Sequence, residues 1–121
     1  MKNKKTLVLG ASVKPDRYAY KAVTMLVAKG HPVLAIGQHA GEVAGVTIQT
    51  KAVPVRNIDT VTLYLNASRQ KEYYNYIVAS QPKRVIFNPG TENPEFYQLL
   101  KLNNIHVEVA CTLVLLATNQ Y

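Results

Sequence analysis

The sequence has little of what several classes of protein require. A single cysteine, Cys111, among 121 residues excludes a disulfide framework and a cysteine-built zinc site, so we expect a reducing cytoplasmic location. No apolar run approaches the ~20 residues of a membrane span, and too few apolar residues follow the N-terminal lysines for a signal sequence. The three histidines lack the spacing of a zinc motif. We therefore expect neither a membrane partner nor a bound metal.

Acidic residues are also scarce, since seven carboxylates face 14 lysines and arginines and leave a net charge of +7. An excess of this sign favours a polyanionic partner such as nucleic acid, a membrane surface or a phosphorylated small molecule. The basic residues are scattered, and aromatic residues do not alternate with them in one stripe. We therefore expect a phosphate-rich small molecule rather than nucleic acid, although solubility alone would account for the charge equally well.

The order of apolar segments predicts the fold class. A chain of 121 residues is long enough for one domain with a sizeable core, so residues 1–121 are expected to form a single domain. Near-continuous apolar runs alternate with amphipathic segments, which is typical of an α/β protein with three α/β/α layers, a doubly wound and mainly parallel sheet. The predicted strands are 6–9, 31–36, 60–65, 84–87 and 105–109, with a short edge strand at 46–48. The predicted helices are 17–29, 69–80 and 93–102, while 112–117 fits a terminal helix or a further strand.

The segment from Thr6 to Tyr20 predicts a ligand site. Its apolar run ends in a turn of small residues that begins at Gly10, and a helix follows, for which Asp16 or a neighbour is the expected N-cap. Small residues let a ligand approach the backbone, and the free N–H groups of a helix N-terminus attract an anion. In a parallel sheet, ligands bind at the carboxyl ends of the strands, where this turn lies.

The same region disfavours NAD. The turn at Gly10 lacks the second and third glycines of the G-x-G-x-x-G fingerprint. NAD sites also place an acid at the end of the second strand to bind the ribose hydroxyls. Here that position holds Gly37 and Gln38, and the next acid is Glu42.

Two motifs resemble the small CoA-binding proteins, stand-alone relatives of the N-terminal domain of the succinyl-CoA synthetase alpha subunit. The first is the turn at 10–12 followed by Arg17 and Tyr20, and the second is Asn-Pro-Gly-Thr-Glu-Asn at 88–93 after a strand. The resemblance covers nearly the whole chain and implies a Rossmann-like fold that binds CoA or an acyl-CoA. Two departures are Ala19, where serine is usual, and 87–88, where tryptophan and glutamine are common.

The resemblance also implies a set of binding residues. The turn at 10–13 would receive the pyrophosphate or the adenosine end of CoA, and the segment 89–93 would border the cleft. The implied CoA-binding residues are Gly10, Ala11, Ser12, Val13, Arg17, Tyr20, Gln38, Asn66, Ala67, Pro89, Gly90, Thr91 and Glu92.

Three functional hypotheses follow from the sequence. The first, which we favour, is a non-enzymatic module that binds CoA or an acyl-CoA. The second is a small enzyme that uses bound CoA or a nucleotide, with Glu92 or Cys111 as the reacting group. The third is a regulatory or structural subunit with a degenerate site, which docks a partner through its tyrosine-rich helix. The sequence leaves the assembly state open, with a homodimer as the working expectation.

Overall fold

A computed structural model describes residues 3–121 and shows one seven-stranded sheet with helices on both faces. The strands are β1 (Thr6–Ala11), β2 (Val33–Gly37), β3 (Gly41–Val43), β4 (Val46–Gln49), β5 (Thr60–Leu63), β6 (Arg84–Phe87) and β7 (His106–Val109). The helices are α1 (Tyr18–Ala28), α2 (Ala67–Gln70), α3 (Tyr74–Ser80), α4 (Pro94–Leu102) and α5 (Thr112–Ala117). Within the described range, no helix combines the length and apolar character needed to cross a bilayer.

The sheet order is β3-β4-β2-β1-β5-β6-β7, which places β1 at the centre. Every neighbouring pair is parallel except β3 and β4, which are antiparallel. On β1, Leu7 lies opposite Leu34 of β2 and Val61 of β5. Because the strands run in the same direction, the carboxyl ends of β2, β1, β5 and β6 meet at one edge. The predicted α/β/α fold with a mainly parallel sheet is confirmed.

The alternation of side chains along β1 divides the core between the two faces of the sheet. Leu7 and Leu9 point to one face and Val8 to the other, and all three are fully buried. The first face packs against α3 and α4 through Ile77, Phe96 and Leu100, and the second packs against α1 and α5 through Val23, Leu26 and Leu116. Each such side chain contributes about 1.5–3 kcal/mol through burial, so both helical layers hold the central strand in place.

The predicted edge strand at 46–48 is wrong in its position within the sheet. It corresponds to β4, which lies inside the sheet between β2 and β3, and β3 forms the edge. The two strands of this hairpin are joined by Ala44 and Gly45, which both have positive φ values, +51° and +82°. Two residues of this conformation form the tight turn that matches the twist of antiparallel strands.

Two predicted helix boundaries also differ from the structure. Helix α1 begins at Tyr18, and its N-cap is Arg17, whose side chain makes no capping hydrogen bond, so Asp16 is not the cap. The predicted helix 69–80 is divided into α2, a 3₁₀ turn at Lys71–Tyr73 and α3. Of the two residues that could cap this helix, Asn66 and Ser68, the structure has Asn66, whose side chain accepts a hydrogen bond from the Arg69 N–H. The segment 112–117 is the helix α5 rather than a strand.

Candidate functional site

A cleft of about 460 Å³ lies at the carboxyl edge of the parallel strands. The loop between β1 and α1 forms one wall, and the segments that follow β2, β5 and β6 form the rest. This is the position where parallel α/β sheets bind their ligands. The lining residues are Gly10, Ala11, Ser12, Val13, Lys14, Arg17, Tyr18, Ala19, Gln38, His39, Tyr64, Leu65, Asn66, Arg69, Pro89, Gly90 and Thr91.

Two glycines allow the strands to approach one another at the floor of the cleft. Gly10 has a φ of +92°, and a Cβ there would lie 2.8 Å from the carbonyl oxygen of Tyr64. A Cβ on Gly37 would overlap the carbonyl oxygen of Ala11. The register between β1 and β2 shifts at this point, between Leu9 and Ala11. The backbone geometry of the cleft therefore requires glycine at both positions.

The loop that follows β1 leads directly into the N-terminus of α1. The Ser12 hydroxyl accepts a hydrogen bond from the Lys14 N–H at 3.1 Å, and the Arg17 N–H donates to the Lys14 carbonyl at 3.0 Å. Helix α1 has no acidic residue in its first turn, and the side chain of its N-cap residue makes no capping hydrogen bond. The N–H groups of this turn, together with the positive end of the helix dipole, suit an anionic ligand.

The charged residues that line the cleft are all basic. They are Lys14 and Arg17 on the first wall and Arg69 on α2, and no carboxylate belongs to the lining set. Glu92, the acid of the motif at 88–93, does not line the cleft. Its carboxylate accepts a hydrogen bond from the Gly90 N–H at 2.9 Å. The cleft therefore presents positive charge that has no acidic partner within it.

The side chains of Gln38 and Arg69 contact each other across the end of β1. With the Gln38 amide oriented so that its oxygen faces the guanidinium, the oxygen accepts from Nη1 of Arg69 at 3.2 Å and from Nη2 at 2.5 Å. Gln38 follows β2 and Arg69 lies on the helix after β5, and these two strands flank β1. The pair therefore spans the cleft from one side of the central strand to the other.

Buried amides fix the opposite wall. The Gln70 side chain is fully buried, and its Nε2 donates to the carbonyl oxygens of Leu65 and Thr91, each at 2.8 Å. Its Oε1 accepts from Asn93 at 2.9 Å. Since Leu65 and Thr91 line the cleft, this one side chain connects the segments after β5 and β6 without introducing a charge.

A second buried amide, Asn88, lies beneath these segments. Its Nδ2 donates to the Thr62 hydroxyl at 2.7 Å and to the Leu63 carbonyl at 2.9 Å, and its Oδ1 accepts from the Thr112 N–H at 2.8 Å. The hydrogen bonds tie β5 and β6 to the start of α5. Phe87 is fully buried and packs edge-on against Phe96, so the departures from the family pattern at 87–88 lie in the core rather than along the cleft.

The candidate reactive groups do not form a catalytic arrangement. Cys111 is half-buried at the start of α5 and does not line the cleft. Tyr64 does line it, but burial raises the pKa of its hydroxyl to about 12, so the group stays protonated at neutral pH. The hydroxyls of Thr62 and Thr112 pair with each other at 2.8 Å, and the Tyr64 hydroxyl has no well-formed hydrogen bond within residues 3–121. In the same range, no group of three or more potential metal ligands occurs.

The structure brings most of the predicted binding residues together. The cleft is lined by Gly10, Ala11, Ser12, Val13, Arg17, Gln38, Asn66, Pro89, Gly90 and Thr91. Three predicted residues do not line it: Tyr20, Ala67 and Glu92. Tyr20 is half-buried and packs against the core beneath α1, because the helix begins two residues before it and turns its side chain inward.

Several lining residues were not predicted to bind the ligand. They are Lys14, Tyr18, Ala19, His39, Tyr64, Leu65 and Arg69. Arg69 had a partial signal, since it lies three residues after Asn66, a residue type that favours the N-cap, and therefore in the first turn of a helix that follows a central strand. Tyr18 lines the cleft and is 69% exposed, although its spacing from the apolar residues of α1 is typical of a core residue.

Comparisons with known proteins agree with this geometry. A family model described as a CoA binding domain matches residues 4–117. Among solved structures, an uncharacterized protein is 45% identical over 100% of both chains, with a TM-score of 0.96. A hypothetical protein from Pyrococcus horikoshii OT3 is 26% identical, with a TM-score of 0.81 over 93% of this chain and 80% of its own. A protein from Thermus thermophilus is 25% identical, with a TM-score of 0.82 over 98% of this chain and 91% of its own.

No functionally curated protein matches the chain. The solved relatives share the fold along their length, and the family model spans all seven strands and the cleft that they form. The motifs at 10–20 and 88–93 suggested this relationship, and the match confirms it. The chain belongs to the CoA-binding domain family.

Proposed function

We propose that this chain binds CoA or an acyl-CoA as a non-enzymatic module. The observation that carries the proposal is the charge of the cleft, whose lining includes Lys14, Arg17 and Arg69 and no carboxylate. CoA carries a diphosphate and a separate ribose phosphate, so it is a highly anionic ligand for such a site. Family membership supports the same ligand.

The pyrophosphate or the adenosine end of CoA would lie at the turn from Gly10 to Val13. This turn lines the cleft and leads directly to the N-terminus of α1, where the side chain of the N-cap residue makes no capping hydrogen bond. Arg17 stands at the N-cap, where an arginine is unfavourable for the helix dipole unless an anion is bound nearby. Arg17 is therefore our candidate for a direct phosphate contact.

The arrangement of side chains supports binding rather than catalysis. General acid–base catalysis most often uses a histidine or a carboxylate. The lining has no carboxylate, and its one histidine, His39, is exposed and forms no hydrogen bond to a carboxylate within residues 3–121. Cys111 is displaced from the cleft, and Glu92 is engaged by the backbone of its own loop. If the protein were instead an acyl-CoA enzyme, Cys111→Ser or Glu92→Gln would abolish turnover of acetyl-CoA.

Calorimetric titration tests the proposal directly. CoA, acetyl-CoA, NAD and ATP are titrated at one salt concentration into the wild type, Arg17→Ala and the control Arg56→Ala. Arg56 is also an exposed arginine, but it lies outside the cleft. We expect CoA to bind most tightly and Arg17→Ala to weaken it about tenfold, since a charge-assisted hydrogen bond contributes about 1.5–3 kcal/mol.

The outcomes separate the parts of the proposal. No binding of CoA or acetyl-CoA would overturn it, and tighter binding of NAD would contradict the argument from Gln38. Unchanged CoA affinity in Arg17→Ala would keep the module and remove Arg17 from the phosphate site. Hydrolysis or transfer of the acetyl group during the titration would replace the module with an enzyme.

A further inference from the structure

The guanidinium of Arg69 lies beside the end of β2, the strand end at which dinucleotide sites bind the ribose hydroxyls. Gln38 lies at the end of β2, and in NAD sites this end of the second strand provides a carboxylate to the ribose hydroxyls. Here, with the Gln38 amide oriented so that its oxygen faces the guanidinium, a neutral oxygen instead accepts two hydrogen bonds from Arg69, at 3.2 Å and 2.5 Å. The chemistry at this point of the cleft is therefore that of an anion receptor rather than of a diol receptor.

Because Gln38 is neutral, it leaves the positive charge of the Arg69 guanidinium uncompensated. A carboxylate at this position would form an ion pair with Arg69 and neutralise it. The amide orients the guanidinium and leaves its charge without an acidic partner, since Arg69 forms no ion pair within residues 3–121. Only some of the guanidinium N–H groups face Gln38, so others stay available to a ligand.

The cations of the cleft fall into two separate groups. Lys14 and Arg17 belong to the loop after β1 and the start of α1, whereas Arg69 projects from α2 on the far side of the central strand. A ligand with a single phosphate group would need only one of them. A ligand that carries a diphosphate and a distinct phosphomonoester matches both.

We propose that Arg69, held in place by Gln38, recognises a phosphomonoester on the ribose of the bound nucleotide. This inference rests on the proposed function. A phosphomonoester carries about −1.5 to −2 charges at neutral pH, and its oxygens match the fork of an arginine. Arg69 makes the direct contact, and Gln38 is a positioning residue. The site would then distinguish CoA from dephospho-CoA, which differs from it only by the loss of this phosphate.

The test measures a ratio of affinities rather than one affinity. CoA and dephospho-CoA are titrated into the wild type, Arg69→Gln, Arg69→Lys, Gln38→Glu and the control Arg56→Gln. We expect the wild type and the control to bind CoA at least about tenfold more tightly than dephospho-CoA. Arg69→Gln should bind the two ligands within about threefold of each other, because the charged fork is absent. Circular dichroism and thermal unfolding check that each variant is folded.

The other two variants separate charge from geometry. Arg69→Lys keeps the charge without the planar fork, so its ratio should lie between those of the wild type and Arg69→Gln. Gln38→Glu leaves Arg69 in place but gives it a carboxylate partner. The ratio of the affinity for CoA to that for dephospho-CoA should therefore fall, while the affinity for dephospho-CoA is retained. If Gln38 had only a structural role, Gln38→Glu would instead lower the affinities for CoA and dephospho-CoA by the same factor.

The possible failures are distinguishable. Equal affinities for CoA and dephospho-CoA in the wild type would overturn the inference and leave the proposed function standing. A ratio that survives in Arg69→Gln would also overturn it. Failure of both ligands to bind the wild type would overturn the proposed function, and this inference with it.

Discussion

Gln70 allows a direct test of how the cleft is held together. Its side chain is fully buried, and its amide donates to the carbonyl oxygens of Leu65 and Thr91 and accepts from Asn93. Gln70→Met keeps a side chain of similar length but removes all three hydrogen bonds. Leaving a buried polar group without its partner costs about 1–3 kcal/mol, so the two carbonyls and the Asn93 amide together predict a loss of about 3 kcal/mol or more. Such a loss is a large fraction of the about 5–15 kcal/mol by which domains are stable.

Equilibrium unfolding in urea measures this loss. We expect a lower midpoint with an unchanged dependence on urea concentration, and a fall in melting temperature of about 10 °C. Gln98→Met is the matched control, because Gln98 is exposed on α4 and the same change there should shift stability by less than about 0.5 kcal/mol. A loss below about 1 kcal/mol in Gln70→Met, or one equal to that of the control, would refute the argument that this amide holds the two loops.

Two further predictions concern stability. Gly10→Ala should cost about 1–3 kcal/mol more than Gly45→Ala, because both glycines have positive φ but only a Cβ at Gly10 meets backbone, at 2.8 Å; equal losses by urea unfolding would contradict this. Burial, followed by the charges of Lys4 and Arg84, lowers the pKa of His31, whose Nδ1 accepts a hydrogen bond from the Lys4 N–H. The neutral ring is therefore favoured by folding, so its contribution is present above pH about 6.5 and is lost as the pH falls through the lowered pKa. Urea unfolding at a series of pH values should give a flatter slope of stability against pH in His31→Asn than in the wild type, and equal slopes would contradict this reasoning.

The parts of the fold that follow from local chemistry could be predicted from the sequence. The strands β1, β5 and β6 are apolar runs that end at a turn, and α4 begins with Asn93 as its N-cap and Pro94 at its first position. Strand β3 has no such signal. It contains one buried residue, Val43, and it exists because it pairs with β4 across a two-residue turn whose first residue is alanine rather than the usual asparagine.

The same distinction applies to the site. The turn at Gly10 and the loop at 89–91 could be located from small residues placed after apolar strands. Asn66 indicates that Arg69 lies in the first turn of a helix, but the contact of Arg69 with Gln38 could not be predicted, because it depends on the approach of β2 and β5 to β1. The hydrogen bond to Gln38 joins residues that are distant in sequence. No local pattern specifies it.

The polar framework of the cleft gives a physical reason for its charge. The loops around it are fixed by uncharged amides: Asn66 caps α2, Gln70 and Asn93 connect two loops, and Asn88 ties the strands below to α5. Because an amide carries no charge, these side chains hold the loops without adding a carboxylate that could compete with an anion for the cations of the cleft. Amides satisfy the buried backbone groups without this competition. In the proposed complex, the phosphates of CoA therefore supply the negative charge that the lining of the cleft lacks.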